Sequence, residues 1–334
     1  MVALGKTYAV LGGGGSFGLH CAKYLLDHAD PYRVVAIGRD PPKPECFTLN
    51  VGKGDPRYEY RAFHVYYEQD LLLDYLDRTR AQIVINFAAQ SEGAASWRHS
   101  WRYFETNAVA LAKLAEELKK RDYLERFIHI GTSEVYGSVD RAATEDDPVR
   151  PSSPYAASKA AFDLHLISVH RFGGFPMNIL RPCNVYGPGQ QLQRLIPRAI
   201  VCGLTHRKLP LHGGGRAEKS YIHVRDLARA ILMVADGGPM GTVYNVGTRE
   251  TVAVRRVAEL CAEALGIPFD QLCEVTGERF GQDYRSWIDS SAIYRDLRWQ
   301  PEIGWDDGLG EMVAWGRRYL DDLRAIPLDF QMRG

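Results

Sequence analysis

Short apolar runs alternate with segments of helical period through the first half of the chain. Runs at 7–11, 34–37, 83–87, 127–130 and 177–180 are each bounded by polar or turn residues, as parallel strands buried on both faces should be. Between them, segments 18–28, 71–80, 101–121 and 155–172 space their apolar residues as helices do. After Pro182 glycine and proline become frequent and the pattern loosens. There 192–204, 224–235 and 254–264 read as helices, 213–215 as a turn and 244–246 as a short strand.

Regular strand–helix alternation predicts an α/β fold, a Rossmann-type doubly wound parallel sheet. The looser second half predicts a smaller mixed α/β substrate-binding domain. The expected division gives 1–181, with 219–246, to a dinucleotide-binding domain, and 182–218 and 247–334 to the substrate-binding domain. With 334 residues, 46% apolar and 25% charged, the composition is that of an ordinary globular protein. Forty-one basic residues balance 41 acidic ones, so no basic field points to nucleic acid. The N-terminus lacks a signal-peptide pattern, and no run of about 18 apolar residues predicts a membrane span. Cysteines 21, 46, 183, 202, 261 and 273 form no CxxC pair and read as reduced thiols of a cytoplasmic protein. The ten histidines show no ligand spacing, so no metal is assigned.

The first predicted strand runs into Gly12-Gly13-Gly14-Gly15-Ser16-Phe17-Gly18. Glycines at 12, 15 and 18 suit a turn in which a pyrophosphate approaches the backbone and the next helix aims its amides at it. The second strand ends in Gly38-Arg39-Asp40. Gly38 stands where an acid would hold the ribose of NAD, and Arg39 suits the 2′-phosphate of NADP. The expectation is therefore NADP, tightly bound and recycled, with NAD through Asp40 as the alternative.

Tyr155 and Lys159 stand four apart and share one face of a predicted helix. A phenol titrates near pH ~10, and a neighbouring ammonium favours its ionised form. Tyr155 can then act as a base towards a sugar hydroxyl. The strand 127–130 leads into Thr132-Ser133-Glu134, at the strand end where open α/β sheets bind ligands. Thr132 and Ser133 can bond a hydroxyl, and Glu134 is a candidate carboxylate base.

These motifs together resemble the extended short-chain dehydrogenases/reductases, as do Asn86 to Ser91, Asn107 and the stretch Arg181-Pro182-Cys183-Asn184-Val185-Tyr186-Gly187-Pro188. Within that family the chain is most similar to nucleotide-sugar 4,6-dehydratases. Asn86 to Ser91 followed by Ala95-Ser96-Trp97, and the Thr-Ser-Glu triplet, resemble GDP-mannose 4,6-dehydratases. Arg279-Phe280-Gly281-Gln282-Asp283-Tyr284-Arg285 and Arg194-Leu195-Ile196-Pro197 resemble dTDP-glucose 4,6-dehydratases.

The resemblance implies a redox-neutral cycle on a nucleotide-diphosphate sugar. Tyr155 takes the O4 proton while hydride leaves C4, Glu134 removes the C5 proton, the C6 hydroxyl departs, and hydride returns to C6. It implies cofactor contacts from Gly12, Gly15, Ser16, Phe17, Gly18, Arg39, Ala88, Ala89, Gln90, Asn107, Tyr155, Lys159 and Pro182. Substrate contacts would come from Ser91, Asn184, Arg194, Leu195, Lys219, Asn245 and Arg279. It further implies a homodimer or higher homo-oligomer through helices 101–121 and 155–172. There Val109, Leu111, Leu114, Leu118, Phe162, Leu164, Leu166 and Ile167 suit core or interface equally. Two departures matter. Ser133 replaces the aspartate that protonates the departing hydroxyl in the dTDP-glucose enzymes, so that the acid is water, Glu134 itself or absent. Lys219 replaces an arginine and lacks its bidentate fork. A 4-epimerase, a UDP-glucuronate decarboxylase and, more distantly, a nonenzymatic dinucleotide sensor are the competing readings.

Overall fold

The computed structural model describes residues 5–277 and 283–330. Its centre is a seven-stranded parallel sheet. The strands are β1 (Thr7–Leu11), β2 (Arg33–Gly38), β3 (Tyr58–Ala62), β4 (Ile83–Asn86), β5 (Arg126–Ile130), β6 (Met177–Pro182) and β7 (Val243–Val246). Their order, β7-β6-β5-β4-β1-β2-β3, reverses between β1 and β4. That reversal opens the crevice in which doubly wound sheets bind ligands.

The principal helices are α1 (Ser16–His28), α2 (Gln69–Thr79), α3 (Pro154–Gly173), α4 (Leu195–Leu204), α5 (Val224–Gly237), α6 (Val254–Leu265) and α7 (Trp305–Arg318). Alternate strand residues serve opposite faces. Val10, Ile85, Ile128 and Leu180 pack against Cys21 and Leu25 of α1 and Ile231 of α5. Ala9, Val84, Phe127 and Ile179 pack against Leu72, Leu114, Phe162 and Leu166 on the other side. A separate core joins Ile200 of α4, Val257 of α6 and Met312 of α7. Around it lie short strand pairs, among them Leu209–His212 with Cys273–Thr276 and Glu218–Lys219 with Val252–Ala253. The C-terminal third serves both cores, because Ile288, Ile293 and Trp299 pack into the first.

Three features differ from the sequence expectation. The edge strand β3 is additional, so 127–130 lies in the fifth strand of the sheet, not the fourth. Its sequence alternates aromatic and charged residues and is half-exposed, and so lacks an apolar run. The expected helix 101–121 is three pieces: an α-helical turn Ser100–Phe104, a π-helical stretch Glu105–Ala110 and an α-helix Leu111–Leu118. The expected helix at 192–204 begins at Leu195. Among the described residues no helix is long and apolar enough to cross a membrane, and all six cysteines are buried and unpaired.

One buried carboxylate ties the C-terminal segment to helix α5. Asp226 in α5 is 1% exposed. Its Oδ1 accepts from the Glu302 amide at 2.9 Å and its Oδ2 from the Ile303 amide at 3.1 Å. Asp226→Ala strands both amides, so it should cost about 3 kcal/mol of unfolding free energy in urea titration. Asp226→Asn keeps one acceptor oxygen and should cost less.

Candidate active site

The cleft is built first by glycine packing. β1 runs into Gly12, whose φ is +77°. A Cβ there would lie 2.7 Å from the Ala88 nitrogen and the Phe87 carbonyl carbon, and one on Gly18 would lie 2.5 Å from the Gly12 oxygen. The turn is thus wedged between α1 and the end of β4. Gly15 caps α1 with no side-chain acceptor, so the first amides of the helix lack an acceptor side chain at this cap. Such a terminus attracts phosphate, and the turn therefore fits the dinucleotide that the fold implies. Ser16 Oγ donates to the Pro188 carbonyl at 3.3 Å. Gly12, Gly15, Ser16, Phe17 and Gly18 all line the cleft, whose volume is about 840 Å³.

At the β2 end, Tyr60 fills the space that an acid in place of Gly38 would take. A Cβ on Gly38 would lie 2.1 Å from the Tyr60 hydroxyl, which donates to the Asp40 carbonyl at 2.6 Å. Arg39 and Asp40 pair at 3.3 Å, and both line the cleft with Lys43 and His64. Tyr60 and His64 were not anticipated, because both belong to the unpredicted edge strand and its exit. The alternation Tyr58-Glu59-Tyr60-Arg61 was the available signal.

Ala88, Ala89, Gln90 and Pro182 line the opposite wall. Asn107, expected to touch the cofactor, is fully buried outside the cleft lining. Its Oδ1 accepts from the Gln90 amide at 2.7 Å, and its Nδ2 donates to Gln90 O at 3.0 Å and Ser158 Oγ at 2.9 Å. It sits in the π-helical stretch and props the Gln90 backbone. Such stretches recur at functional sites.

α3 starts cleanly: Ser153 accepts from the Ala156 amide at 3.1 Å and Pro154 opens the first turn. Tyr155 and Lys159 then lie one turn apart and line the cleft. Burial pushes the Tyr155 phenol up, and the Glu134 carboxylate adds to this; Arg194 and a hydrogen bond with Thr132 oppose it. Burial pushes Lys159 down to about 8, against the opposing charge of Asp163. Lys159 Nζ donates to the Ile130 carbonyl at 2.7 Å and stands 3.1 Å from His129 Nε2.

Thr132 caps the short helix Ser133–Tyr136, accepting from the Glu134 amide at 3.2 Å. Thr132 and Glu134 line the cleft. Ser133 does not: it is buried, and its Oγ lies 3.4 Å from Ser286 Oγ. The hydroxyl expected among the catalytic groups is therefore directed to a structural partner. Ser91, Asn184, Arg194, Leu195 and Lys219 line the far end. Arg194 donates to the Ser91 carbonyl at 2.6 Å and lies 3.7 Å from Glu92. The structure moves Asn245 out of this group. It is fully buried, donates to Ala143 O at 2.9 Å and accepts from Tyr136 Oη at 2.9 Å. Arg279 lies outside the described residues. Pro210, His212 and the C-terminal Ile326 and Phe330 complete the far end; the first two come from the short strand Leu209–His212 and the others from a tail, neither with a periodic signature long enough to read.

A glycine turn at the helix N-terminus and a Tyr–Lys pair facing one cleft define a dinucleotide fold of the short-chain dehydrogenase/reductase type. Comparison with known proteins agrees. The profile of the NAD dependent epimerase/dehydratase family matches residues 8–247, and the chain belongs to that family. It is 35% identical to a dTDP-glucose 4,6-dehydratase of Streptomyces niveus over 251 residues, 75% of this chain and 74% of that one. It is 29% identical over 315 residues to the trifunctional UDP-glucose 4,6-dehydratase, epimerase and reductase RHM2 of Arabidopsis thaliana. That match covers 93% of this chain but 47% of the plant protein, so the chain spans about half the length of this relative. The crystal structure of DesIV, a dTDP-glucose 4,6-dehydratase from Streptomyces venezuelae with NAD bound, superimposes with a TM-score of 0.86 at 31% identity. It covers 93% of this chain and 97% of that one. The similarity thus runs to nucleotide-sugar 4,6-dehydratases. The bound dinucleotide there is NAD, which does not support the expected NADP preference.

Asn245→Ala removes two buried side-chain bonds. It should lower unfolding free energy by about 2 kcal/mol and leave the Kd for a nucleotide sugar within about twofold, by titration calorimetry. A loss of affinity of about tenfold or more in the folded variant would restore Asn245 to the substrate site.

Proposed function

We propose that the chain is a nucleotide-sugar 4,6-dehydratase, converting an NDP-hexose to an NDP-4-keto-6-deoxyhexose. One observation carries this reading: Glu134 and Tyr155 face the same small space. A Cβ on Gly93 would lie 3.7 Å from Glu134 Oε2 and 4.0 Å from the Tyr155 ring. A base for a hydroxyl and a base for the neighbouring carbon acid are both needed for elimination, whereas epimerisation at C4 needs only the first.

When bound, the nicotinamide dinucleotide supplies hydride acceptance at C4 and hydride return at C6. Gly12, Gly15 and Gly18, with the α1 amides, would hold its pyrophosphate, and Gln90 and Pro182 would flank its nicotinamide. The chain's own residues handle the protons. Tyr155, held by Thr132, takes the O4 proton. The resulting 4-keto group acidifies C5. Glu134 takes the C5 proton and passes it to the departing C6 hydroxyl, which leaves as water. Once C6 has its hydride back, C5 takes up a proton from solvent through Glu134, and Tyr155 releases the O4 proton to solvent. This assigns Glu134 the acid role that Ser133 is turned away from. Arg194 and Lys219 lie at the substrate end with charge suited to a diphosphate.

The cofactor choice rests on Arg39 and Asp40. Arg39 and Lys43 line this end of the cleft with Asp40, two cations to one carboxylate, which favours an added phosphate. NADP is therefore the proposed partner, with NAD accepted through Asp40. Arg39→Ala should weaken NADP about tenfold and NAD much less, read by fluorescence titration; equal losses, or a wild-type preference for NAD, would reverse this choice. We also propose a homodimer. Leu111, Leu114, Leu118, Phe162 and Leu166 belong to the core, whereas Trp101, Val109 and Leu164 are exposed. A second copy of the chain would cover them, and a strictly monomeric species in sedimentation would reject it.

The deciding measurement is NMR and mass analysis after incubation with GDP-, dTDP-, UDP- and CDP-hexoses in D₂O. The expected product has lost water and carries deuterium at C5. Glu134→Gln should lower turnover about 10²–10⁴-fold and abolish that deuterium. An isomer of unchanged composition would replace the reading with an epimerase. Loss of carbon dioxide from UDP-glucuronate would replace it with a decarboxylase, and no turnover would favour a sensor.

A further inference from the structure

Behind Lys159 lies a row of buried polar groups that proton transfer at Tyr155 does not use. Asn86 and His129 are fully buried, as is Asp163; Arg181 is 2% exposed. The Ala88 amide donates to Asn86 Oδ1 at 3.1 Å. That bond fixes which end of the Asn86 amide faces away, and the Nδ2 donor is left 2.9 Å from His129 Nδ1. Nδ1 must therefore accept. A neutral imidazole has one hydrogen, and here it sits on Nε2. Burial, followed by the Lys159 and Arg181 charges, holds His129 well below its usual pKa, so the neutral ring is the relevant form.

Nε2 lies 3.1 Å from Lys159 Nζ and 3.6 Å from Asp163 Oδ1. An Nε2–H directed at Nζ is satisfied only by a lone pair, which the ammonium lacks. We propose that His129 is a positioning residue whose tautomer is locked by Asn86, and that it donates to the neutral amine of Lys159. The groups facing Nζ then divide. His129 from β5 favours the amine. The Ile130 carbonyl from β5 and Asp163 from α3 favour the ammonium. Arg181 from β6 opposes the ammonium but is itself paired with Asp163 at 2.8 Å. The proton on Lys159 is thus held in balance between His129 and Asp163, and with it the charge one turn from the Tyr155 phenol. The catalytic consequence rests on the dehydratase reading; the hydrogen-bond assignment does not.

Lysine labelled at Cε reports the titration directly in the full chain. One resonance should titrate and be missing in Lys159→Arg. His129→Phe removes the donor to the amine, so the midpoint should rise by about one pH unit. Asp163→Asn removes the opposing charge, so it should fall. Long-range ¹⁵N spectra of the wild-type histidines should show the His129 hydrogen on Nε2. In turnover, the basic limb of kcat should move up with the His129→Phe midpoint while KM stays within about twofold, a split that a packing defect would not give. A midpoint unchanged or lowered in folded His129→Phe overturns the assignment. So does a wild-type His129 protonated on Nδ1, a measurement that stands even if the variant does not fold. A raised midpoint in a protein that dehydrates no NDP-hexose would sustain the His129 assignment and reject the dehydratase reading.

Discussion

The site depends on one buried ion pair. Asp163 Oδ2 accepts from Arg181 Nε at 2.8 Å, and both side chains are almost wholly out of water. The bond joins α3 to β6. Arg181 also donates to the Tyr136 hydroxyl at 2.8 Å, and that hydroxyl donates to Asn245 in β7. One chain of bonds thus runs from the helix carrying Tyr155 and Lys159, through the sheet, to the turn carrying Thr132 and Glu134. Burying two charges gains little net stability over well-packed apolar residues. What the pair supplies is position: it fixes the depth and rotation of α3 against the strand ends. It also places a carboxylate beside Lys159, which an apolar replacement would not.

The second constraint is the absence of side chains where backbone meets backbone. Gly12 and Gly18 bring α1 against β1 and the β4 exit at distances that a Cβ would not permit. The phosphate cradle and the nicotinamide wall are therefore one packing unit: moving Phe87 and Ala88 moves Gly12. Gly38 extends the rule to the adenosine end, where the Tyr60 ring fills the space that a side chain would take. The ribose contact available to an acid at that position is lost, and Arg39 and Asp40 take over the rim.

Much of this was legible because it is local. The glycine turn, the Tyr–Lys spacing and the Thr-Ser-Glu turn each lie within seven consecutive residues, and strands buried on both faces read as apolar runs. What escaped depends on partners distant in sequence. β3 is an edge strand whose outer residues meet water, so Tyr60 carried no apolar signal. Asn107 sits in a helix of good period, and nothing in that period announces the π-helical turn that directs its amide to Gln90. Asn245 reads as a polar residue in a strand near the site; only the packing of Tyr136 and Ala143 turns it inward. Asp163 stands on the face of α3 shared with Tyr155 and Lys159, but its partner is 18 residues away on β6. Ser133 and Glu134 are adjacent, yet the short helix they open sends one side chain to Ser286 and the other into the cleft.

That last division bears on how the proposed reaction moves its protons. The product is a ketone, so the O4 proton that Tyr155 takes does not return to O4, and C5, having given its proton to the departing hydroxyl, must regain one from solvent. Tyr155 is 9% exposed and Lys159 2%, and the charge of each is disfavoured by burial. Burial thus favours the neutral phenol that Tyr155 becomes on taking the O4 proton. With Ser133 turned away, Glu134 is the carboxylate positioned to carry the C5 proton to the C6 hydroxyl, so elimination requires no further acid from the chain.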